Sequence, residues 1–426
     1  MLKLLNGLVF AVLISALTTG CGLPCQQTRA DYDVHNRQLR SHAGIGEEPI
    51  GTGEYHVGML ISESMLGDLL QINGIAFEPL EERLSISGDE AGRRSAVNIS
   101  VSPRLDRITF MESDTTAARF HFDVHVQLDI RAPGQTREHY LTGSLSIDGH
   151  LESRTGTRAT PALMAVLETL TEDDLQLGVH ALEPAIARAV VGFVGPALSS
   201  HLLTDATTFP VMEFPSIEIS PVTIELEPVG LVLYPDNNAL FIGFVTNLRP
   251  EPGGDVWPLA SQPVTGMTTY IHPHLATAAL QRGFVDNRII NRLDNHLNID
   301  QAGDIGIAVD SIALTEPDQL RFNLSAWDMR ARQCGVEPVS IEARLTREES
   351  QLAIIPPQND PQNTEEGAGA WSGLESSPFL EVLFNVTEKT MSLSHFKVGD
   401  GFVSLQLTGF EITPQRIILT QALNQN

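Results

Sequence analysis

Long runs of strictly alternating side chains constrain this chain more than any other feature. Phe120, Phe122, Val124, Val126, Leu128 and Ile130 are apolar, and between them stand His121, Asp123, His125, Gln127 and Asp129. A period of two puts each set on its own face of a β-strand. Eleven such residues span about 35 Å at ~3.3 Å each, which is long for a strand. Val97, Ile99 and Val101 precede this run, and Leu141, Gly143, Leu145, Ile147, Gly149 and Leu151 follow it. The second half alternates at Ile305–Val309, Leu320–Ala326 and Val339–Leu345. Each run has one apolar face, as antiparallel strands wet on one side require, and strands this long suit a curled sheet.

A helical period appears at four places. Ser62 is placed to cap a helix carrying Met65, Leu66, Leu69 and Leu70 on one face. Pro161 followed by Leu163, Met164, Val166, Leu167 and Leu170 predicts a helix with proline in its first turn. Val179–Leu203 is the most apolar helical candidate, and Pro378 opens another through Val386. Residues 21–53 are polar without an apolar period and read as a tether. Proline and glycine crowd residues 249–263 and 356–367, so 251–264 reads as a linker between a first unit, 54–250, and a second, 265–426.

The second unit repeats the order of the first. Ile61 through Leu70 lines up with Ile271 through Leu280, a strand running straight into a helix in both. Gly230–Pro235 matches Gly409–Pro414 near each unit's end. The fold class expected is therefore α+β: two pseudo-repeated units, elongated overall, each a long curled antiparallel sheet wrapped around amphipathic helices.

That order resembles the tubular lipid-binding superfamily, the group of the bactericidal/permeability-increasing and lipopolysaccharide-binding proteins. The resemblance covers about residues 54–426. It implies crossing strands at Val211–Pro215, Ile217–Leu226 and Gly230–Pro235, the run Leu405–Leu423 as the strand closing the second barrel, and an apolar slot for acyl chains. On that resemblance the slot's lining is Met65, Leu69, Leu70, Phe120, Phe122, Val124, Leu145 and Ile147, which as residues alone read equally as a dry core. The chain departs from the group's pattern in lacking any cysteine within 54–250 and in being acidic.

The net charge is −26, so the surface repels nucleic acids, anionic headgroups and polyanionic lipopolysaccharide; a neutral or zwitterionic lipid, or another apolar molecule, fits better. At the N-terminus, Lys3, an apolar run from Leu4 to Leu17 and the small residues before Cys21 read as a lipoprotein signal peptide over residues 1–20. That stretch is fourteen residues long, shorter than the ~20 that span a bilayer. Acylation of Cys21 would tether the mature protein to a membrane of the bacterial envelope, outside the cytoplasm. Cys25 and Cys334 are then the pair available for a bridge, with two free thiols as the alternative.

No motif argues for chemistry. His121, Asp123 and His125 share a strand face but stand about 7 Å apart in succession, too far for one metal ion without a bulge. His272-Pro273-His274 reads as a helix cap and solvent contact. Gly143-Ser144-Leu145-Ser146 lacks the closing glycine of a nucleophile elbow. The expectation is a membrane-anchored lipoprotein that binds, and on a further step transfers, a lipid or other apolar ligand, with no catalytic residue, metal or cofactor. A structural or partner-binding module with solid cores is the alternative, and an uncharacterised hydrolase the third.

Overall fold

The computed structural model describes residues 23–42, 54–88, 93–112, 116–132, 135–155, 160–170, 175–219, 222–248, 255–256, 264–286, 288–315, 318–330, 334–348, 351–356, 373–374, 377–391, 395–398, 401–413 and 416–423. The fold is α+β, dominated by antiparallel strands with few helices. The alternating runs become a meander of long strands: β2 (Leu80–Gly88), β3 (Arg93–Phe110), β4 (Ala117–Ala132), β5 (Gln135–Thr155) and β6 (Pro161–Thr169), with the short β7 (Leu175–Leu177) also on β5. Before the meander lie β1 (Val57–Ser62) and α2 (Glu63–Asn73); a first helix, α1 (Leu23–His42), precedes both. After it come α3 (Pro184–Ser200), β8 (Thr208–Glu213) and the hairpin β9 (Leu226–Tyr234) with β10 (Ala239–Thr246).

The second half runs β11 (Met267–Ile271), α4 (Leu275–Val285), β12 (Ile305–Thr315), β13 (Gln319–Asp328), β14 (Gly335–Glu348), β15 (Gln351–Ile355), α5 (Pro378–Met391), β16 (His395–Val398), β17 (Gly401–Ile412) and β18 (Ile417–Leu423). β12 to β15 form a separate sheet with Arg292–Leu293 at its edge. The remaining long strands make one sheet in the order β9-β10-β1-β11-β18-β17-β16-β8-β6-β5-β4-β3. β1 and β11 pair at its centre, Met59 opposite Thr269, so the halves share backbone hydrogen bonds.

β1 and β10 are buried along their whole length. One face joins the main core, and the other packs Tyr55, Leu60 and Phe241 in a small cluster. The expected linker contributes little within the described residues: Asp255–Val256 pairs with Glu54–Tyr55.

Two expectations are corrected. Pro161–Thr169 is a strand, not a helix. Its first five residues are all buried because β6 lies between β5 and β8, so apolar residues at helical spacing were equally a strand hidden on both faces. Pro161 stands at the strand's start, where a missing N–H costs least. The expected tether 21–53 contains α1, which docks on α4, β13 and β14. Its inward stripe is Cys25, Thr28, Tyr32 and His35, helically spaced but without the aliphatic residues that reveal an amphipathic helix. Cys25 and Cys334 are bridged with their Cα atoms 5.0 Å apart. Glycine at 306 permits the docking, because a Cβ there would run into the Tyr32 ring.

Candidate functional site

The first meander encloses an apolar interior whose two ends differ. At one end, strand register sets Ile108, Phe120 and Ile147 side by side, then Leu105, Phe122 and Leu145. α2 lies against β3 here. Its start is fixed by the Ser62 hydroxyl, which accepts from the Met65 amide at 3.1 Å, and by Glu63, whose carboxylate accepts from the Phe110 amide at 2.9 Å. Met65, Leu69, Leu70, Phe120, Phe122, Val124, Leu145 and Ile147 are all brought into this one core, none more than 4% exposed. Phe77 packs on Phe122 at 5.7 Å between ring centroids and edge-on to Phe209 of β8 at 5.0 Å. The sheet has thus curled until its two sides meet.

At the other end the sheet does not meet itself. α3 packs against β2 and β3 on one side. On the other, Gly195 of α3 lies beside Leu175 of β7, where a Cβ would make ordinary contact with the leucine side chain at 3.6 Å. Both flanking strands belong to one meander, β2 on β3 and β7 on β5, and are not paired with each other, so α3 lies between two unpaired edges of that sheet. β7 can lie against β5 because residue 143 is glycine; a Cβ there would strike the Gln176 carbonyl. Ile186, Val190, Val194 and Leu198 point inward, one per turn, and are buried. Around them Leu80, Leu84, Ile86, Leu175, Leu177 and Phe193 are only half-buried. On the outward side Val191 is 44% exposed and Pro196 is exposed. Arg188 is the one charged residue between Pro184 and Ser200.

The sequence marks Val179–Leu203 as the most apolar helical candidate but does not place it on this seam. The available signal was a helix apolar on every face with a single charge. In the structure it is a 3₁₀ turn at Val179–Ala181, then α3, then a π-helical turn at His201–Asp205, with Pro184 in the first turn and Pro196 inside. Pro184–Asp205 is long and apolar enough to cross a membrane by length and composition.

The polar candidates lie outside the apolar interior. His121 sits on the wet face of β4, its ring nitrogens 3.0 Å from the Ser146 and Thr109 hydroxyls. Burial first, then the positive charges of Arg107 and Arg119, push its pKa down. Asp123 and His125 are exposed beside it. Among the described residues no three His, Cys, Asp or Glu converge as metal ligands. His272 corrects the expectation of a solvent contact: it is buried against the His56 ring, 6.0 Å between centroids, and its Nδ1 accepts from the His274 amide. It lies just past the β1–β11 pairing, where the surrounding sheet covers it. His274 is the N-cap residue of α4 without a side-chain capping bond, and burial pushes its pKa down. Two cavities of about 370 and 360 Å³ flank α2, and a third of about 560 Å³ lies beside α1. Cys21 falls outside the described residues.

No protein-family model matches the chain, and no curated protein does. Among solved structures, a crystal structure of lipopolysaccharide binding protein is similar at 12% identity, covering 87% of this chain and 99% of that one, with a TM-score of 0.35. At that score no residue of the one is carried onto the other.

Proposed function

We propose that this chain is an extracytoplasmic lipoprotein, anchored through acylated Cys21, that holds a lipid or other apolar ligand in the first curled sheet. The ligand enters along the seam that α3 covers. The observation carrying this reading is α3 itself. A helix that only completes a core turns polar residues to water. α3 instead turns out Val191 and Pro196, and half-buried leucines and isoleucine stand on either side of it. Apolar area left wet forgoes about 25 cal/mol per Å². An acyl chain laid along the seam would recover it. Taking ~16 methylenes out of a bilayer costs roughly 13 kcal/mol, so the ligand needs a comparably apolar berth. The charge of −26 favours a neutral or zwitterionic headgroup.

The internal duplication belongs to the same reading. β1 enters α2 and β11 enters α4 without a break, and β1 and β11 are partners. The hairpins β9–β10 and β17–β18 flank that pair, and each shifts register immediately before the aligned glycine, Gly230 or Gly409. We read the protein as non-catalytic, with transfer of the ligand as a further step.

A second reading, of solid cores in a structural or partner-binding module, draws on the near-zero exposure of Phe120, Phe122, Leu145 and Ile147. Native mass spectrometry of the mature chain separates the two. A lipid-sized adduct, displaced by an apolar dye, is expected from the first. A single species at unit mass that binds no dye would establish the second.

A further inference from the structure

The 560 Å³ cavity beside α1 is of another kind. It is lined by Tyr32, Asn36 and Arg37 of α1 and by Asn291, Arg292 and Gln301 of the facing segment. α1 is held over it by the Cys25–Cys334 bridge, an Arg29–Asp304 ion pair at 2.7 Å and the packing of Tyr32 on Trp327, 5.8 Å between centroids. Tyr32 is 2% exposed; its hydroxyl makes no hydrogen bond of good geometry, and Asn36, Arg292 and Asn291 surround it closely enough to interact with it. Buried polar groups are nearly always well partnered, so a phenol with only poorly aligned neighbours at a cavity wall leaves bonding capacity for a ligand. The Arg292 guanidinium lies over the Tyr32 ring, 5.6 Å from its centroid, and forms no ion pair among the described residues. An unneutralised guanidinium is conspicuous on a chain of charge −26.

We propose that this cavity binds a phosphoryl group carried on a small organic body. Two guanidiniums, a phenol and three carboxamides offer more donors than the two oxygens of a carboxylate can take. A phosphoryl group presents more acceptor oxygens, and the arginine fork matches them two at a time. The cavity exceeds the share of a few waters at roughly 30 Å³ each, which leaves room for the group's carrier. Asp33, the carboxylate in the wall, suits an ammonium or hydroxyl on that carrier. The phosphoryl group comes from a soluble ester or from a lipid headgroup. This site stands apart from the α3 seam and does not rest on it.

Calorimetry on the intact mature protein tests it, with Trp327 fluorescence as a second signal. The probes are inorganic phosphate, phosphoethanolamine, and vesicles of phosphatidylcholine with and without phosphatidylethanolamine. Saturable binding of the soluble probes identifies an ester; binding only to vesicles identifies a headgroup. In either case Arg292→Gln should weaken binding roughly 10- to 100-fold, the loss of a charged donor. Tyr32→Phe, which removes one oxygen and keeps the packing, should weaken it by about 3- to 10-fold. Arg321→Gln, on an exposed arginine paired with Glu342, should leave it unchanged. No saturable binding of any probe, or equal affinity in wild type and Tyr32→Phe, overturns the proposal.

Discussion

α3 and α5 stand at matching places in the order of the two halves, yet they are held differently. α5 buries eight of its fourteen residues: Phe379, Leu380, Leu383, Phe384, Val386, Thr387, Thr390 and Met391. Its threonines are satisfied internally, donating to the Leu383 and Val386 carbonyls at 2.7 Å. Phe379 stacks on Phe284 of α4, and Phe384 packs on Phe322 of β13. α3, three residues longer, buries only Ile186, Val190, Val194 and Leu198. One helix is a plug enclosed by its neighbours; the other is a cover that buries a single stripe and leaves its outer side to solvent. Burial of a single stripe lets a helix lift without unravelling the sheet beneath it, and that is what admitting a ligand requires.

The largest expected effect follows from the plug. Phe379→Ala should cost about 3–5 kcal/mol of unfolding free energy, because it leaves a cavity between α4 and α5. Val194→Ala in α3 should cost about 1.5–3 kcal/mol, the worth of one buried valine. Denaturant midpoints give both values. Native-state hydrogen exchange sharpens the contrast: α3 amides should exchange through a local opening well below the global free energy, and α5 amides only through the global one. Equal protection of the two helices would erase the distinction between cover and plug.

The third effect concerns the sealed end of the first sheet. Ser62→Ala removes the bond to the Met65 amide and should cost about 1 kcal/mol. If the apolar ligand occupies the α3 end, this variant should lower thermal stability while leaving retained lipid unchanged, read by native mass spectrometry beside Val194→Ala. Lipid lost equally from both variants would mean that the two ends form one chamber.

Much of the fold was legible in the sequence, and the part that was not, the contrast between the two helices included, has physical reasons. Alternation at Phe120–Ile130 and Leu141–Leu151 fixed strand identity, because a half-wet sheet tolerates no other pattern. The Ser62 cap and Pro378 marked helix starts through local hydrogen bonding and proline geometry alone. At Pro161–Thr169 the pattern failed, since a strand buried on both faces has no polar face to keep time. α1 was missed because its docking rests on the contact of Tyr32 with the glycine at 306 and on the bridge from Cys25 to Cys334, the latter 309 residues apart in sequence. Among the candidate lining residues, Phe120, Leu145 and their neighbours were recognisable as inward-facing. The seam was not, because half-burial of Leu84 and Leu175 depends on where the sheet stops curling.

The smallest expected effect is the pH dependence, with one histidine in each half. His121 on β4 and His274 at the start of α4 both have pKa values held below the ordinary histidine value, chiefly by burial. Each therefore binds its proton less readily folded than unfolded. Its contribution is full above the unfolded value of about 6.5 and declines as pH falls through that value toward the lower folded one. Asp148 is shifted down by its hydrogen bond from Arg119, so its contribution persists through that window and is lost only near and below the usual carboxylate range. Denaturant midpoints measured from neutral pH downward should first fall in the histidine window, and His121→Gln should remove part of that slope. Both groups are half-exposed, which keeps the slope shallow. Because α5 amides exchange only through global unfolding, their protection should fall with the midpoint on acidification while that of α3, which opens locally, changes less; a larger loss in α3 would break the distinction between cover and plug.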